Sequence, residues 1–115
     1  MEIVRIHVEK SFLGEFQKCL TYAFSEFGTK TVRRWNSEYA KIRHRLELMP
    51  ESYSFVPELL KWRKYRGATI MKNFKVIYFY DEEKNEVRII DLWDLRQDPS
   101  KLRVRARKIE KTVYL

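Results

Sequence analysis

Residues 64–99, KYRGATIMKNFKVIYFYDEEKNEVRIIDLWDLRQDP, decide the fold. Three runs in this stretch, near 65–71, 74–80 and 86–93, are rich in β-branched and aromatic residues, the composition of a pleated, half-buried surface. Lys72-Asn73 separates the first two runs and Asp81-Glu82-Glu83-Lys84-Asn85 the last two; both segments have turn composition. Connections this short make neighbouring strands antiparallel, so the stretch predicts a twisted antiparallel sheet. The cations Arg66, Lys72, Lys75, Arg88 and Arg96 recur along the strands or at their ends.

Upstream, residues 2–8 read as a first strand carrying Ile3, Ile6 and Val8. Ser11 is a candidate helix cap, and Phe12, Phe16, Cys19 or Leu20, Ala23 and Phe27 then recur every three or four residues. Gly28 stands where that helix should stop. A second helix starts at Thr29 or Thr31, with an apolar stripe of Val32, Trp35, Tyr39, Ile42, Leu46 and Met49 that Pro50 ends. So short a link predicts a helical hairpin. Residues 51–64 form a connector with one helical turn starting near Pro57. Downstream, Asp98 before Pro99 is a helix-start signal, and Leu102, Ala106, Ile109 and Val113 would share one face. Arg103 and Arg105 also alternate with apolar residues, which makes a strand over Leu102–Ala106 the competing reading.

The order is β-α-α-β-β-β, an α+β fold in which a helical hairpin packs on an antiparallel sheet, followed by a C-terminal helix or arm over 99–115. The first strand is expected beside the second or at the sheet edge. At 115 residues the chain is a single domain, and 44% hydrophobic content gives it enough to bury a core without staples. Cys19 is the only cysteine, which excludes an internal disulfide and a cysteine-built metal cluster. The longest apolar run, Val76–Tyr80, is far short of a span of about 20 residues. No membrane association is expected, and a cytoplasmic location is. With glycine only at 14, 28 and 67 there is no phosphate loop, and no His/Cys/carboxylate spacing suggests a metal. No cofactor is expected.

The net charge of +8 is uneven. Residues 30–72 hold eleven Lys and Arg against four acids, and residues 99–115 hold six against one, whereas residues 1–29 and 73–98 are net negative. Clustered positive charge marks a polyanionic or acidic partner.

This order, with Phe74-Lys75-Val76-Ile77-Tyr78 on one strand and a final strand closing on Trp93-Asp94-Leu95-Arg96-Gln97-Asp98-Pro99, resembles the RelE/ParE superfamily of bacterial toxins over residues 2–100. The closing turn, an arginine followed shortly by Asp-Pro, is most similar to the ParE branch. The resemblance implies the toxin of a type II toxin–antitoxin module. ParE-like members inhibit DNA gyrase and cause growth arrest; RelE-like members cleave messenger RNA on the ribosome. A third expectation is an inactive homologue that only binds its antitoxin and supports operon repression.

RNA cleavage needs a base for the 2′-hydroxyl, cations for the phosphorane and an acid for the leaving oxygen. By resemblance, Arg66, Lys75 and Arg96 fall where RelE-like enzymes place cations. Ala68 stands where a lysine is expected, and residues 97–101 hold neither tyrosine nor histidine; Leu102 takes the equivalent position. His7 and His44 lie elsewhere. A ribonuclease would therefore have to draw on Tyr65, Tyr78 or Tyr80. The gyrase-directed reading is favoured, with no catalytic site of the chain's own. Its implied target-binding face is Arg33, Arg34, Lys41 and Arg45 on the second helix. Lys101, Arg103, Arg105, Arg107 and Lys108 form a second basic segment for antitoxin or anion binding. The cognate antitoxin is expected to wrap sheet and helices with an acidic amphipathic segment, and operator DNA is expected only through that complex.

Several residues also have structural readings. Arg96 could lock the closing turn by pairing with Asp91, Asp94 or Asp98. Trp93 is expected in the core on the face of Val87 and Ile89. Trp62 and Tyr65, interleaved with Lys61, Arg63, Lys64 and Arg66, either stack on bases or pack inward; packing is favoured.

Overall fold

The structure, a computed structural model, describes residues 3–113, and within them the side chains up to residue 111. The elements are β1 (Arg5–Val8), α1 (Lys10–Phe27), α2 (Thr29–Leu48), a 3-10 turn (Pro57–Leu59), β2 (Arg66–Ile70), β3 (Phe74–Asp81), β4 (Glu86–Asp94) and α3 (Pro99–Val113). The α+β order agrees with the sequence reading, and the last segment is a helix. Residue 2 and the side chain of Val113 lie outside the described part.

The four strands form one sheet in the order β1-β4-β3-β2. The β2–β3 and β3–β4 pairs are antiparallel, as their short turns require. β1 lies at the edge and adds parallel to β4, with Ile6 opposite Val87, so the sheet is mixed. β4 is thereby central and covered on both faces, which accounts for its nearly continuous apolar sequence.

On one face, α1 and α2 bury Phe12, Phe16, Trp35, Ile42 and Leu46 against Ala68, Ile70, Val76, Tyr78, Val87 and Ile89. On the other, α3 and the connector bury Leu102, Ala106, Ile109, Val56, Leu59 and Tyr65 against Ile77, Ile90 and Trp93. Tyr65 and Trp62 pack inward, as favoured. Trp93, expected with Val87 and Ile89, is on the opposite face. The cause is a bulge: Tyr78 pairs with Ile89 and Ile77 with Asp91, leaving Ile90 as an extra residue. One inserted residue reverses side-chain parity, so Ile90, Asp91 and Trp93 all face α3.

Gly28 joins the helices directly at φ +83°, and its N–H is donated to the carbonyls of Ala23 and Phe24. A residue with a Cβ is disfavoured in that conformation. Two ends of the apolar stripes depart from expectation. Phe27 is 65% exposed at the hairpin tip, and Met49 lies past the end of α2, 54% exposed. Ser11 is not a cap: α1 starts at Lys10, and the Ser11 hydroxyl donates to the Ile90 carbonyl, tying the first turn of α1 to the bulge.

Candidate functional site

The three sheet cations do not converge. Arg66 pairs in register with Tyr78 and so shares the hairpin face, whereas Lys75, three residues earlier on β3, points to the α3 face. Arg66 donates to the carbonyls of Glu51 (2.9 Å) and Tyr53 (2.7 Å) and lies over the Phe55 ring at 4.0 Å. It fastens the connector to the edge strand. Lys75 runs over Gly67, where a Cβ would overlap its side chain; glycine here makes room for the lysine stem. Arg96 makes a fork on Asp94, with Nε and Nη2 each 2.9 Å from a carboxylate oxygen, while its own N–H donates to the same carboxylate at 3.0 Å. That contact holds the Asp94 carboxyl below the usual carboxylate range, chiefly through the Arg96 side-chain hydrogen bond. Arg96 is thus the lock of the closing turn, on Asp94 alone of its three candidate partners.

The hydroxyls of Tyr65, Tyr78 and Tyr80 are each engaged within the fold, Tyr78 beside Arg66. Tyr65 is buried and donates to Glu110 at 2.9 Å. Tyr78 is buried and donates to the Pro50 carbonyl at 2.7 Å; burial pushes its hydroxyl up to about 12. Tyr80 donates to Asn85 at 2.9 Å. His7 lies on the α3 side of β1, 3.1 Å from Glu9, and His44 is exposed on α2. Arg88 is paired with Glu9 at 3.1 Å and Glu86 at 3.4 Å. Among the described residues no group of three or more His, Cys, Asp or Glu could hold a metal.

What the hairpin does present is two unlike outer faces. Arg33, Arg34, Lys41 and Arg45 are all exposed on α2, away from its buried face of Trp35, Ile42 and Leu46. Arg34 is paired with Glu38 at 3.1 Å. Arg45 has neutral partners, the Ser52 hydroxyl at 2.8 Å and the Tyr53 ring at 4.3 Å, so its charge is not cancelled. On α1, Leu13, Phe24 and Phe27 are exposed at helical spacing, with Leu20 half-buried between them.

The second basic segment lies on the far side of the sheet. Lys101, Arg103, Arg107 and Lys108 are exposed on α3, but Arg105 turns inward. Its Nε lies 2.9 Å from Asp91, to which Nη2 also donates, and Nη1 lies 3.4 Å from Glu15. Among the described residues Asp91 is the one charged residue that is buried, and it also accepts from Trp93 Nε1 at 3.0 Å and from the Leu92 N–H at 2.9 Å. Burial pushes its carboxyl up while the Arg105 guanidinium pulls it down. Sequence reasoning missed this pair. Its one signal was a lone carboxylate inside a run of buried strand residues, which demands a partner. Beside it, a cleft of about 690 Å³ lies between β1, the start of α1, β4 and α3, lined by His7, Glu9, Arg88 and Arg105.

Compared with known proteins, no family model and no curated protein sequence matches the chain. Among solved structures, it is similar to a chain of the chromosomal ParDE TA system from P. aeruginosa, with a TM-score of 0.61, 9% identity, and coverage of 82% of this chain and 98% of that one. The isolated E. coli RelE toxin aligns with a TM-score of 0.47 at 9% identity, over 91% of this chain and 98% of that one. At such identity the likeness is one of architecture: the chain shares the fold of that chain of the ParDE system.

Proposed function

We propose that this protein is the toxin of a type II toxin–antitoxin module, of the ParE-like kind, which acts in the cytoplasm by inhibiting DNA gyrase and is neutralised by a cognate antitoxin. The fold shared with the ParDE chain is the observation that carries the reading. The dispersal of Arg66, Lys75 and Arg96 supports an inhibitor over a nuclease: two of them are engaged by the protein's own groups, and Lys75 faces away from Arg66. A cleavage site needs its acid, base and cations within reach of one phosphate, and the buried tyrosines do not complete such a set.

The helical hairpin is the surface that engages the target. Its exposed cations on α2 and apolar side chains on α1 suit a target that presents both anionic and apolar ground. The exposed basic face of α3, with Lys101, Arg103, Arg107 and Lys108, suits an acidic antitoxin segment that orders as it binds.

Induction of the protein alone in a bacterial host tests the reading. Growth should stop, with thymidine incorporation falling before leucine incorporation. The double reversal Arg33→Glu/Lys41→Glu should relieve the arrest, while Lys75→Ala should not. Leucine incorporation falling first, with arrest abolished by Lys75→Ala, would point to messenger RNA cleavage instead. Unimpeded growth would point to an inactive homologue.

A further inference from the structure

The outer face of α2 is more extensive than its target-binding residues alone. Lys30, Arg33, Arg34, Lys41, His44 and Arg45 fall on one stripe at helical spacing, with Ser37 between them, and all are exposed. No acidic or apolar side chain lies within that stripe up to Arg45. Glu38, on its flank, cancels Arg34 alone and also accepts the Met71 N–H of the β2–β3 turn at 2.8 Å. Lys30, Arg33 and Lys41 have no hydrogen bond or ion pair among the described residues. From Lys30 to Arg45 the stripe is about 22 Å long at 1.5 Å per residue.

A protein-binding face has an apolar or aromatic centre from which charges are depleted. The α2 stripe has the opposite composition, and the apolar ground lies on α1 instead. Uncancelled cations on a straight rod, with nothing to desolvate, match a phosphate backbone, which positions a protein without base readout. We propose that this stripe binds the phosphate backbone of double-stranded DNA directly. The choice of duplex rests on the gyrase reading, which it deepens: α1 would meet the enzyme's protein surface while α2 lies on the DNA that enzyme holds. It departs from the expectation that DNA is met only through the antitoxin complex.

The test omits gyrase. A fluorescent duplex of about 20 base pairs, of arbitrary sequence, is titrated with the purified full chain at several salt concentrations and followed by anisotropy. The four uncancelled cations, Lys30, Arg33, Lys41 and Arg45, on phosphates predict a log–log salt slope of about −3.6, roughly a 150-fold loss of affinity from 50 to 200 mM salt. Arg33→Gln/Lys41→Gln should reduce the slope by about 2, whereas Arg33→Lys should leave it unchanged. Arg103→Gln/Arg107→Gln, on the opposite side of the sheet, should not alter it. Circular dichroism verifies that each variant is folded.

A slope insensitive to the α2 pair, or one that moves with the α3 pair, overturns the proposal. So does displacement of the duplex by poly-glutamate at equal charge concentration, which would assign the stripe to an acidic protein. The two readings fail separately. Gyrase inhibition without duplex binding would remove this inference and leave the function, while duplex binding without inhibition would do the reverse.

Discussion

Removing the guanidinium that faces Asp91 perturbs the molecule most informatively. Asp91 is fully buried, and Arg105 supplies two of its four hydrogen bonds. In Arg105→Ala the carboxylate keeps only Trp93 Nε1 and the Leu92 N–H. Leaving a buried charge without its partner costs about 3–5 kcal/mol. The Arg105 side chain is 34% exposed, and water can enter its vacated space, so the lower end, ~3 kcal/mol, is expected. With a urea m-value of about 1–3 kcal/mol/M, the unfolding midpoint should fall by roughly 1–3 M. The defect should also depend on pH. Burial already raises the Asp91 carboxyl, and losing Arg105 raises it further. A folded-state pKa above the unfolded value makes a protonated Asp91 easy to bury, and the penalty grows as pH rises past the unfolded value near 4. The variant should therefore lie closest to wild type near pH 4 and furthest from it near pH 7. Urea titrations at both pH values, followed by tryptophan fluorescence, measure this. The double variant Arg105→Leu/Asp91→Leu should recover much of the loss, because an apolar pair leaves no unpaired charge. A single-variant cost under about 1 kcal/mol, unchanged between the two pH values, would refute the reasoning and make the pair equivalent to a surface contact.

Other consequences are simpler to check. Gly28→Ala places a Cβ at φ +83°, where nothing crowds it but the backbone conformation itself is strained; a loss of about 1–3 kcal/mol in thermal melts is expected, and a neutral effect would contradict the helix junction. Cys19 is half-buried, and burial foremost, with Glu15 next, pushes its thiol up to about 11. It should react with disulfide reagents at pH 7.5 far more slowly in the folded chain than in urea, and equal rates would count against this packing. Arg96→Ala should leave the fold intact and cost no more than ~1 kcal/mol, since both partners are partly exposed. Asp94's lowered pKa stabilises the fold above the unfolded value near 4, and that contribution is lost as pH falls; the variant should lose part of this acid sensitivity, which acid titration would detect.

The elements themselves were legible because each carries a local signal: β-branched and aromatic runs bounded by turn residues in the strands, three-to-four spacing in the helices, Gly28 and Asp98-Pro99 at their ends. The connector's turn at Pro57–Leu59 and the inward packing of Trp62 and Tyr65 followed from the same reading. What sequence did not convey depends on long-range pairing. The parallel partner of β1 is chosen by the way the hairpin crosses the sheet, which no local pattern encodes. The bulge at Ile90 is a one-residue event inside an apolar run, invisible there because both neighbours are equally apolar, yet it moves Trp93 to the other face. The candidate site suffered most. Charges are easy to read, but whether Arg66, Arg96 or Arg105 is available depends on partners as remote as Glu15 and Tyr53. The α2 cations were legible because a helix puts every third or fourth residue on one side, whatever the rest of the chain does.

The most direct measurement for the proposed function is a DNA gyrase supercoiling reaction on relaxed plasmid with increasing amounts of the purified protein. Dose-dependent loss of supercoiling or accumulation of cleaved plasmid, weakened by Arg33→Glu/Lys41→Glu and unaffected by Lys75→Ala, is the predicted result. Full supercoiling at micromolar protein would contradict it.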